Sequence, residues 1–252
     1  MTHWIWLPQV KPDAKFRLYC LPHAGAGAST FANWTSVCPE KIEIAVIQLP
    51  GRETRLDEEP IRHLPAMARA IGEVIALDDK PFAIFGHSAG GRLAIHVASY
   101  LEDIGLHPAR VFVSGASMTV QPSGFLHQLS RDQFIQAVGE RFGTLPPEIT
   151  DDPEVWSLFE RPLRADLEAY ETDNVAPRRL QVPLSVIFGK RDRVIDFGKE
   201  NNWQAWSAYP IQLVLIDADH FSYRKDPKAY VDIIATHLNL PSSPDFLSAP
   251  AR

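Results

Sequence analysis

The sequence predicts an α/β fold with a mostly parallel central sheet flanked by helices. Short apolar runs rich in β-branched residues alternate with longer segments whose apolar residues recur at helical spacing, as in parallel sheets with helical crossovers. Of the 252 residues, 45% are hydrophobic and 22% are charged, which is typical of a globular protein. One domain is the usual outcome at this length, so we expect residues 1–240 to fold as a single unit.

Six apolar runs are the predicted strands, because each is short and ends at turn-forming or helical sequence. They are Phe16–Leu21, Ile42–Leu49, Phe82–Phe85, Val111–Ser114, Leu184–Phe188 and Gln212–Ile216. Two apolar stripes at helical spacing, from Leu64 to Ile75 and from Leu93 to Ile104, predict helices between the strands. A last helix is predicted from Asp226 as N-cap and Pro227 at its first position.

A helical insertion is predicted over residues 121–174, where the alternation of strands and helices stops. Ser130 with Gln133 forms a capping-box pattern at the start of one helix, and Asp152-Pro153 begins a second. A third helix is predicted through Leu163, Leu167 and Tyr170. We expect this insertion to be a lid over strand ends, with an ordinary helical subdomain as the alternative. The tail, residues 241–252, is predicted to be unstructured.

Charge and cysteine content exclude several classes of partner. With 25 basic and 31 acidic residues, the net charge is −6, which disfavours nucleic acid as a ligand. No apolar run approaches the ~18 residues that span a bilayer, so no membrane partner is expected. Cys20 and Cys38 are too few for a disulfide framework and lack zinc-ligand spacing. We therefore expect a cytoplasmic protein without a bound metal, and we expect a monomer.

A candidate nucleophile lies in Gly86-His87-Ser88-Ala89-Gly90, between a predicted strand and a predicted helix. The pattern Gly-x-Ser-x-Gly in this context predicts a sharp turn that presents the Ser88 hydroxyl at the carboxyl edge of the sheet. A glycine-rich turn with an incidental serine is the alternative. The placement between strand and helix favours the nucleophile.

A serine nucleophile needs a histidine base and a carboxylate, here in the chain order serine, acid, histidine. Asp192 follows one predicted strand and is the predicted acid, while His220 follows the next strand and is the predicted base. Asp196 in the same loop as Asp192 is an alternative acid. The less favoured alternatives are Asp217 and Asp219.

An oxyanion produced by acyl transfer needs two N–H donors. The amide of Ala89, directly after the nucleophile, is one predicted donor. The other is the amide of Ala24, in the glycine-rich loop that follows the first predicted strand. A phosphate-binding loop is the alternative interpretation of 21–27, but the segment lacks the Gly-Lys-Ser/Thr ending of such loops.

Most of the chain resembles the type II thioesterases of polyketide and nonribosomal peptide assembly lines, members of the α/β-hydrolase superfamily. The matching segments are Leu21-Pro22-His23-Ala24-Gly25, Trp34, Leu49-Pro50-Gly51-Arg52-Glu53 with Arg55, the Gly-His-Ser-x-Gly turn, Leu163-Arg164-Ala165-Asp166 and His220-Phe221. The resemblance implies an α/β-hydrolase fold with a helical lid. Ala89 departs from the family, in which a larger residue, often methionine, follows the serine.

The resemblance also implies a function: hydrolysis of acyl groups held as thioesters on the phosphopantetheine arm of a carrier protein, without a diffusible cofactor. Acyl and peptidyl carrier domains are then the partners. Basic residues near the predicted lid are candidates for docking an acidic carrier, with an ordinary solvated helix face as the alternative; they are Arg161, Arg164, Arg178 and Arg179. The residues alone imply only a serine acyl hydrolase, so a carboxylesterase or lipase acting on oxygen esters, or a receptor scaffold with little turnover, are alternatives.

Overall fold

The structure, a computed structural model, describes residues 3–118, 125–143, 145–174, 176, 178–195 and 202–240. The alternative acid Asp196, the beginning of the predicted insertion and the predicted unstructured tail 241–252 lie outside these residues.

Seven strands form one sheet within the described residues. They are β1 Ile5–Trp6, β2 Phe16–Leu21, β3 Ile42–Ile47, β4 Phe82–His87, β5 Val111–Ser114, β6 Leu184–Gly189 and β7 Gln212–Ile216. Their order across the sheet is β1-β3-β2-β4-β5-β6-β7. All neighbours are parallel except β1, which runs antiparallel to β3. The predicted α/β fold with a mostly parallel sheet is thus confirmed.

Helices connect and cover these strands. The α-helices among the described residues are α1 Leu64–Ile75, α2 Ala89–Asp103, α3 Arg131–Phe142, α4 Pro147–Thr150, α5 Pro153–Glu171, α6 Ser222–Lys225 and α7 Pro227–His237. Short 3₁₀ segments occur at Ala28–Ser36, Glu53–Arg55, Leu126–Gln128 and Trp203–Trp206. No α-helix of the described chain combines the length and the apolarity that a membrane span requires.

Side chains alternate between the two faces of the sheet, so two apolar clusters form. One cluster joins α1 and α2 to strand residues such as Tyr19 and Ile84. The other joins the 28–36 segment and α7 to neighbouring strand residues such as Cys20 and Phe85. In a parallel sheet that is buried on both faces, the strands are apolar along their whole length. Strand β4 has this pattern, since every one of its residues is buried.

The six predicted strands all form, and two features differ from the prediction. The edge strand β1 was not predicted, because it consists of two residues that pair only with β3. Two helices were predicted after Asp152, but the structure has a single 19-residue helix, α5. Pro162 lies inside α5 and removes the N–H that would bond Leu158. Leu158 is exposed, so water can hydrogen bond its carbonyl and the helix continues.

Candidate active site

Ser88 lies in a strained turn between β4 and α2. Its φ of 56° and ψ of −120° lie in a region that non-glycine residues rarely occupy. Its amide N donates to the Ser114 carbonyl at 2.8 Å, which ties the turn to the end of β5. This turn places Ser88 at the carboxyl edge of the sheet, at the N-terminus of α2.

Gly86 and Gly90 are required for this turn because backbone lies where a side chain would start. A Cβ on Gly86 would lie 2.0 Å from the Gly90 carbonyl oxygen. A Cβ on Gly90 would lie 2.4 Å from the carbonyl oxygens of Leu21 and Pro22. The glycines two before and two after Ser88 therefore let β4, α2 and the loop after β2 approach closely.

The structure brings Ser88, His220 and Asp192 together in one chain of hydrogen bonds. His220 Nε2 lies 3.2 Å from Ser88 Oγ, and His220 Nδ1 lies 2.8 Å from Asp192 Oδ2. With the proton on Nδ1, His220 donates to the carboxylate, and its Nε2 can accept the serine proton. The other oxygen, Asp192 Oδ1, accepts from Val194 N at 2.8 Å and Ile195 N at 3.1 Å. The carboxylate is thus buried, oriented and supplied with donors on both oxygens.

The two alternative acids within the described residues face elsewhere. Asp217 pairs with Arg191 at 3.1 Å and is exposed. Asp219 accepts from Phe221 N at 2.9 Å and pairs with Lys225 at 3.0 Å. Of the acids compared, Asp192 is the one that bonds to His220.

The predicted oxyanion donors lie beside Ser88. Ala24 and Ala89 line the same cavity as Ser88 and His220. Neither amide N–H has an acceptor within the part of the chain that the structure describes. Free N–H groups at a helix N-terminus and on a facing loop suit an oxygen that gains negative charge.

A buried ion pair supports the loop that carries Ala24. Arg52 donates from its two terminal nitrogens to the two carboxylate oxygens of Asp166, at 2.5 and 2.9 Å. Arg52 also donates to the carbonyl of Ala26 at 3.3 Å. Both side chains are buried, so this bidentate pair is shielded from water.

Two further histidines surround His220 and are held neutral. Burial lowers the pKa of His87, which is 1% exposed, well below its ordinary value. Burial, and after it the charge of Arg224, lowers the pKa of His23 to about 3. Tyr223 joins the two, lying 2.5 Å from His23 Nδ1 through its hydroxyl and stacking on His87 at 4.2 Å. Neither neighbour adds a positive charge that would oppose protonation of His220.

A cavity of about 500 Å³ opens over Ser88, within the size range of small-molecule sites. Its roof comes from α3, α4, α5 and the segments between them, through Val138, Phe142, Leu145, Ile149, Phe159 and Leu163. Phe134, Val138, Trp156, Leu163 and Leu167 pack together as a separate apolar cluster within these helices. The cavity therefore offers an apolar space above the serine.

Three charged residues of the cavity wall were missed by sequence reasoning, namely Arg141, Glu171 and Arg224. Arg224 lies four residues after His220, in the short helix α6 that begins at Ser222. That spacing was the only signal available in the sequence. Among the described residues, no group of three or more His, Cys, Asp or Glu side chains could hold a metal ion.

The chain is similar to known thioesterases over most of its length. The model of the family described as "Thioesterase domain" matches residues 16–239. The chain is similar to the gramicidin S biosynthesis protein GrsT of Aneurinibacillus migulanus, with 31% identity over 251 residues and 97% of each chain covered. It is also similar to the medium-chain S-acyl fatty acid synthase thioesterase of Rattus norvegicus, with 31% identity, 85% of this chain and 84% of the relative. The solved structure of BorB, the type II thioesterase of the borrelidin biosynthetic cluster, superposes with a TM-score of 0.82 at 25% identity, covering 95% of this chain and 98% of BorB.

Proposed function

The chain belongs to the thioesterase domain family, and from this premise we propose that it is a serine thioesterase of assembly-line biosynthesis, which hydrolyses acyl groups from the phosphopantetheine arm of carrier proteins. The observation that carries the proposal is the Ser88–His220–Asp192 chain of hydrogen bonds beneath an apolar cavity. The proposed editing role, removal of stalled or wrongly primed chains, follows from the type II thioesterases among the similar structures.

In the first half of the reaction, Ser88 Oγ attacks the thioester carbonyl carbon and its proton passes to His220 Nε2. Asp192, held by two backbone amides, stabilises the imidazolium and fixes its orientation. The tetrahedral intermediate then collapses and the carbon–sulfur bond breaks. The departing sulfur takes the proton from His220, so the products are an acyl-Ser88 ester and the free thiol of the arm.

In the second half, a water molecule gives a proton to His220 Nε2 and attacks the acyl-Ser88 carbonyl. Collapse of this intermediate breaks the bond to Ser88 Oγ, which recovers its proton from His220. The acyl group leaves as a carboxylic acid, and the enzyme returns to its starting state. Every step uses side chains of this protein and water, so the proposed reaction needs no cofactor.

The amides of Ala24 and Ala89 stabilise the oxyanion in both halves. A single donor of this kind contributes about 2.7 to 4 kcal/mol in measured enzymes. The proposal is supported by the position of Ala24 and Ala89, which line the same cavity as Ser88. Helices α3 to α5 act as the lid, which keeps bulk water away from the acyl chain.

A release assay tests the proposal. Radiolabelled acyl groups are loaded on a carrier protein, and their release is followed with the wild-type protein and with Ser88→Ala. We expect the variant to lose at least about 10³-fold in rate, because the nucleophile is gone while the fold is kept. Equal release by both proteins would refute the role of Ser88.

Oxygen-ester hydrolysis is the competing activity, because the triad accepts either leaving group. To separate the two activities, kcat/KM is compared for a thioester and an oxygen ester that have the same acyl chain and the same carbon skeleton in the leaving group. We expect a higher kcat/KM for the thioester. A higher value for the oxygen ester would assign the protein as a carboxylesterase.

A further inference from the structure

Arg141 and Arg224 line the cavity above Ser88, and both side chains reach solvent. Arg141 lies at the end of α3 and Arg224 in α6, so they come from the roof and from the sheet side of the cavity. Neither guanidinium pairs with a carboxylate of the described residues. Arg141 is half-buried and Arg224 is exposed, and a guanidinium on the wall of a largely apolar cavity gains from an anionic ligand.

The basic residues named from the sequence for docking are mostly engaged already. They are bound in the pairs Arg161–Glu59, Arg164–Glu160 and Arg178–Asp103. Arg179 is exposed and does not line the cavity. The arginines that line the cavity above Ser88 are therefore Arg141 and Arg224.

Both arginines lie on the wall of the cavity that also contains Ser88 and His220. The Arg141 guanidinium lies 5.5 Å from the Phe142 ring, and that ring lies 6.3 Å from the His220 ring. The charge of Arg224 acts at His23, next to the predicted oxyanion donor Ala24, where it contributes after burial to the low pKa. Because both side chains are at least partly exposed, each can contact a ligand on the solvent side of the cavity.

We propose that Arg141 and Arg224 bind the phosphate of the phosphopantetheine arm at the entrance of the cavity. The inference rests on the proposed function, which places the thioester of that arm at Ser88. Apart from its phosphate, the arm consists of uncharged amide, hydroxyl and methylene groups, so the phosphate is the group that selects cationic partners. Guanidinium groups bind phosphate oxygens with charge-assisted, often bidentate hydrogen bonds, which suits two arginines on the wall of one cavity.

Matched substrates test this assignment. S-hexanoyl phosphopantetheine and S-hexanoyl pantetheine differ only in the phosphate, and kcat/KM is measured for each. We expect the wild-type protein to prefer the phosphorylated substrate by about tenfold or more, the contribution of one or two charge-assisted hydrogen bonds. In Arg141→Gln and in Arg224→Gln the preference falls several-fold, and in the double variant it approaches one.

Arg179→Gln is the matched control, because it removes an exposed arginine that lies outside the cavity wall. This variant should keep the wild-type preference. Circular dichroism and thermal unfolding establish that each variant is folded.

The outcomes distinguish the proposed phosphate site from the proposed thioesterase activity. A wild-type protein that hydrolyses both substrates with equal kcat/KM, or a double variant that keeps the preference, overturns the phosphate site and leaves the thioesterase activity intact. Variants that lose activity only on acyl groups carried by a carrier protein, with the preference unchanged, show that the arginines bind acidic side chains of the carrier instead. Failure of the wild-type protein to release acyl groups from a loaded carrier protein overturns the proposed function itself.

Discussion

Asp166 Oδ2 accepts a hydrogen bond from Gly25 N at 2.8 Å, which ties a carboxylate of α5 to the loop that carries the Ala24 amide. The same carboxylate binds Arg52, and Leu163, one turn earlier in α5, packs against Gly25. Gly25 has a φ of +77°, so the loop adopts a conformation that this bond and contact must hold in place. Helix α5 in the roof of the cavity is therefore joined directly to the loop that carries the predicted oxyanion donor Ala24.

We predict that Asp166→Asn lowers both stability and activity. It leaves the buried guanidinium of Arg52 without its counter-charge, and removing one partner of a buried pair costs about 3 kcal/mol or more. Urea unfolding measures the loss of unfolding free energy, and steady-state thioester hydrolysis measures kcat. We expect kcat to fall about tenfold, because the loop with Ala24 moves.

The double variant Arg52→Met/Asp166→Leu separates the two effects. Replacing both charges by apolar side chains removes the unpaired ion and recovers much of the unfolding free energy. The acceptor for Gly25 N is still missing, so kcat should stay low. Recovery of kcat together with stability would contradict a role for Asp166 in positioning the loop.

Asp192→Asn should lower kcat by about 10⁴-fold with little change in fold, because an amide in place of the carboxylate favours the wrong tautomer of His220. Thioester hydrolysis and the unfolding midpoint are measured together. Asp217→Asn is the matched control, since this exposed carboxylate pairs with Arg191 on the surface. Asp196→Asn tests the alternative acid in the same loop, and a loss there equal to that of Asp192→Asn would reassign the acid.

Local sequence pattern predicted the turn around Ser88, because its glycines, the buried strand before it and the apolar stripe after it lie within a few residues. The hydrogen bond between His220 and Ser88 joins residues 132 positions apart. It was predicted from the order of the strands and of the loops that follow them. The link from Asp166 to Gly25 and the positions of Arg141 and Arg224 on the cavity wall depend on how α3, α5 and α6 pack. No local pattern reports that packing, which is why the sequence left these relationships open.

The turn itself can be tested with Gly86→Ala. The added Cβ would lie 2.0 Å from the Gly90 carbonyl oxygen, so backbone must move, and we expect a loss of about 3 kcal/mol in unfolding free energy together with loss of activity. Gly105→Ala is the control, because nothing lies within 4 Å of its Cβ although its φ is +79°. That variant should lose only about 1 kcal/mol and keep its activity. Similar losses in the two variants would contradict the packing explanation.

Acid should destabilise the protein through its buried histidines. His23 and His87 are neutral in the folded state and have pKa values below the ordinary 6.5, so the unfolded chain binds more protons as the pH falls below about 6.5. Stability is therefore complete above that pH and is lost toward pH 3, the folded-state value of His23, by up to about 1.4 kcal/mol per pH unit for each proton. Urea unfolding at pH 7, 6 and 5 measures the slope. His87→Asn should reduce this slope by up to about 1.4 kcal/mol per pH unit, the contribution of one proton. An unchanged slope would exclude His87 as its source.

Ala89 sets the width of the cavity beside the nucleophile. Ala89 lines the cavity at the first position of α2. Ala89→Met adds three heavy atoms to that wall without a change of backbone, so long acyl chains lose room while short ones still fit. We expect the ratio of kcat/KM for decanoyl over acetyl thioesters to fall about tenfold or more, the usual effect of a methylene-sized mismatch in an apolar pocket. Ala32→Met, at an exposed position, should leave the ratio unchanged. An unaltered ratio in Ala89→Met would place the acyl chain elsewhere in the cavity.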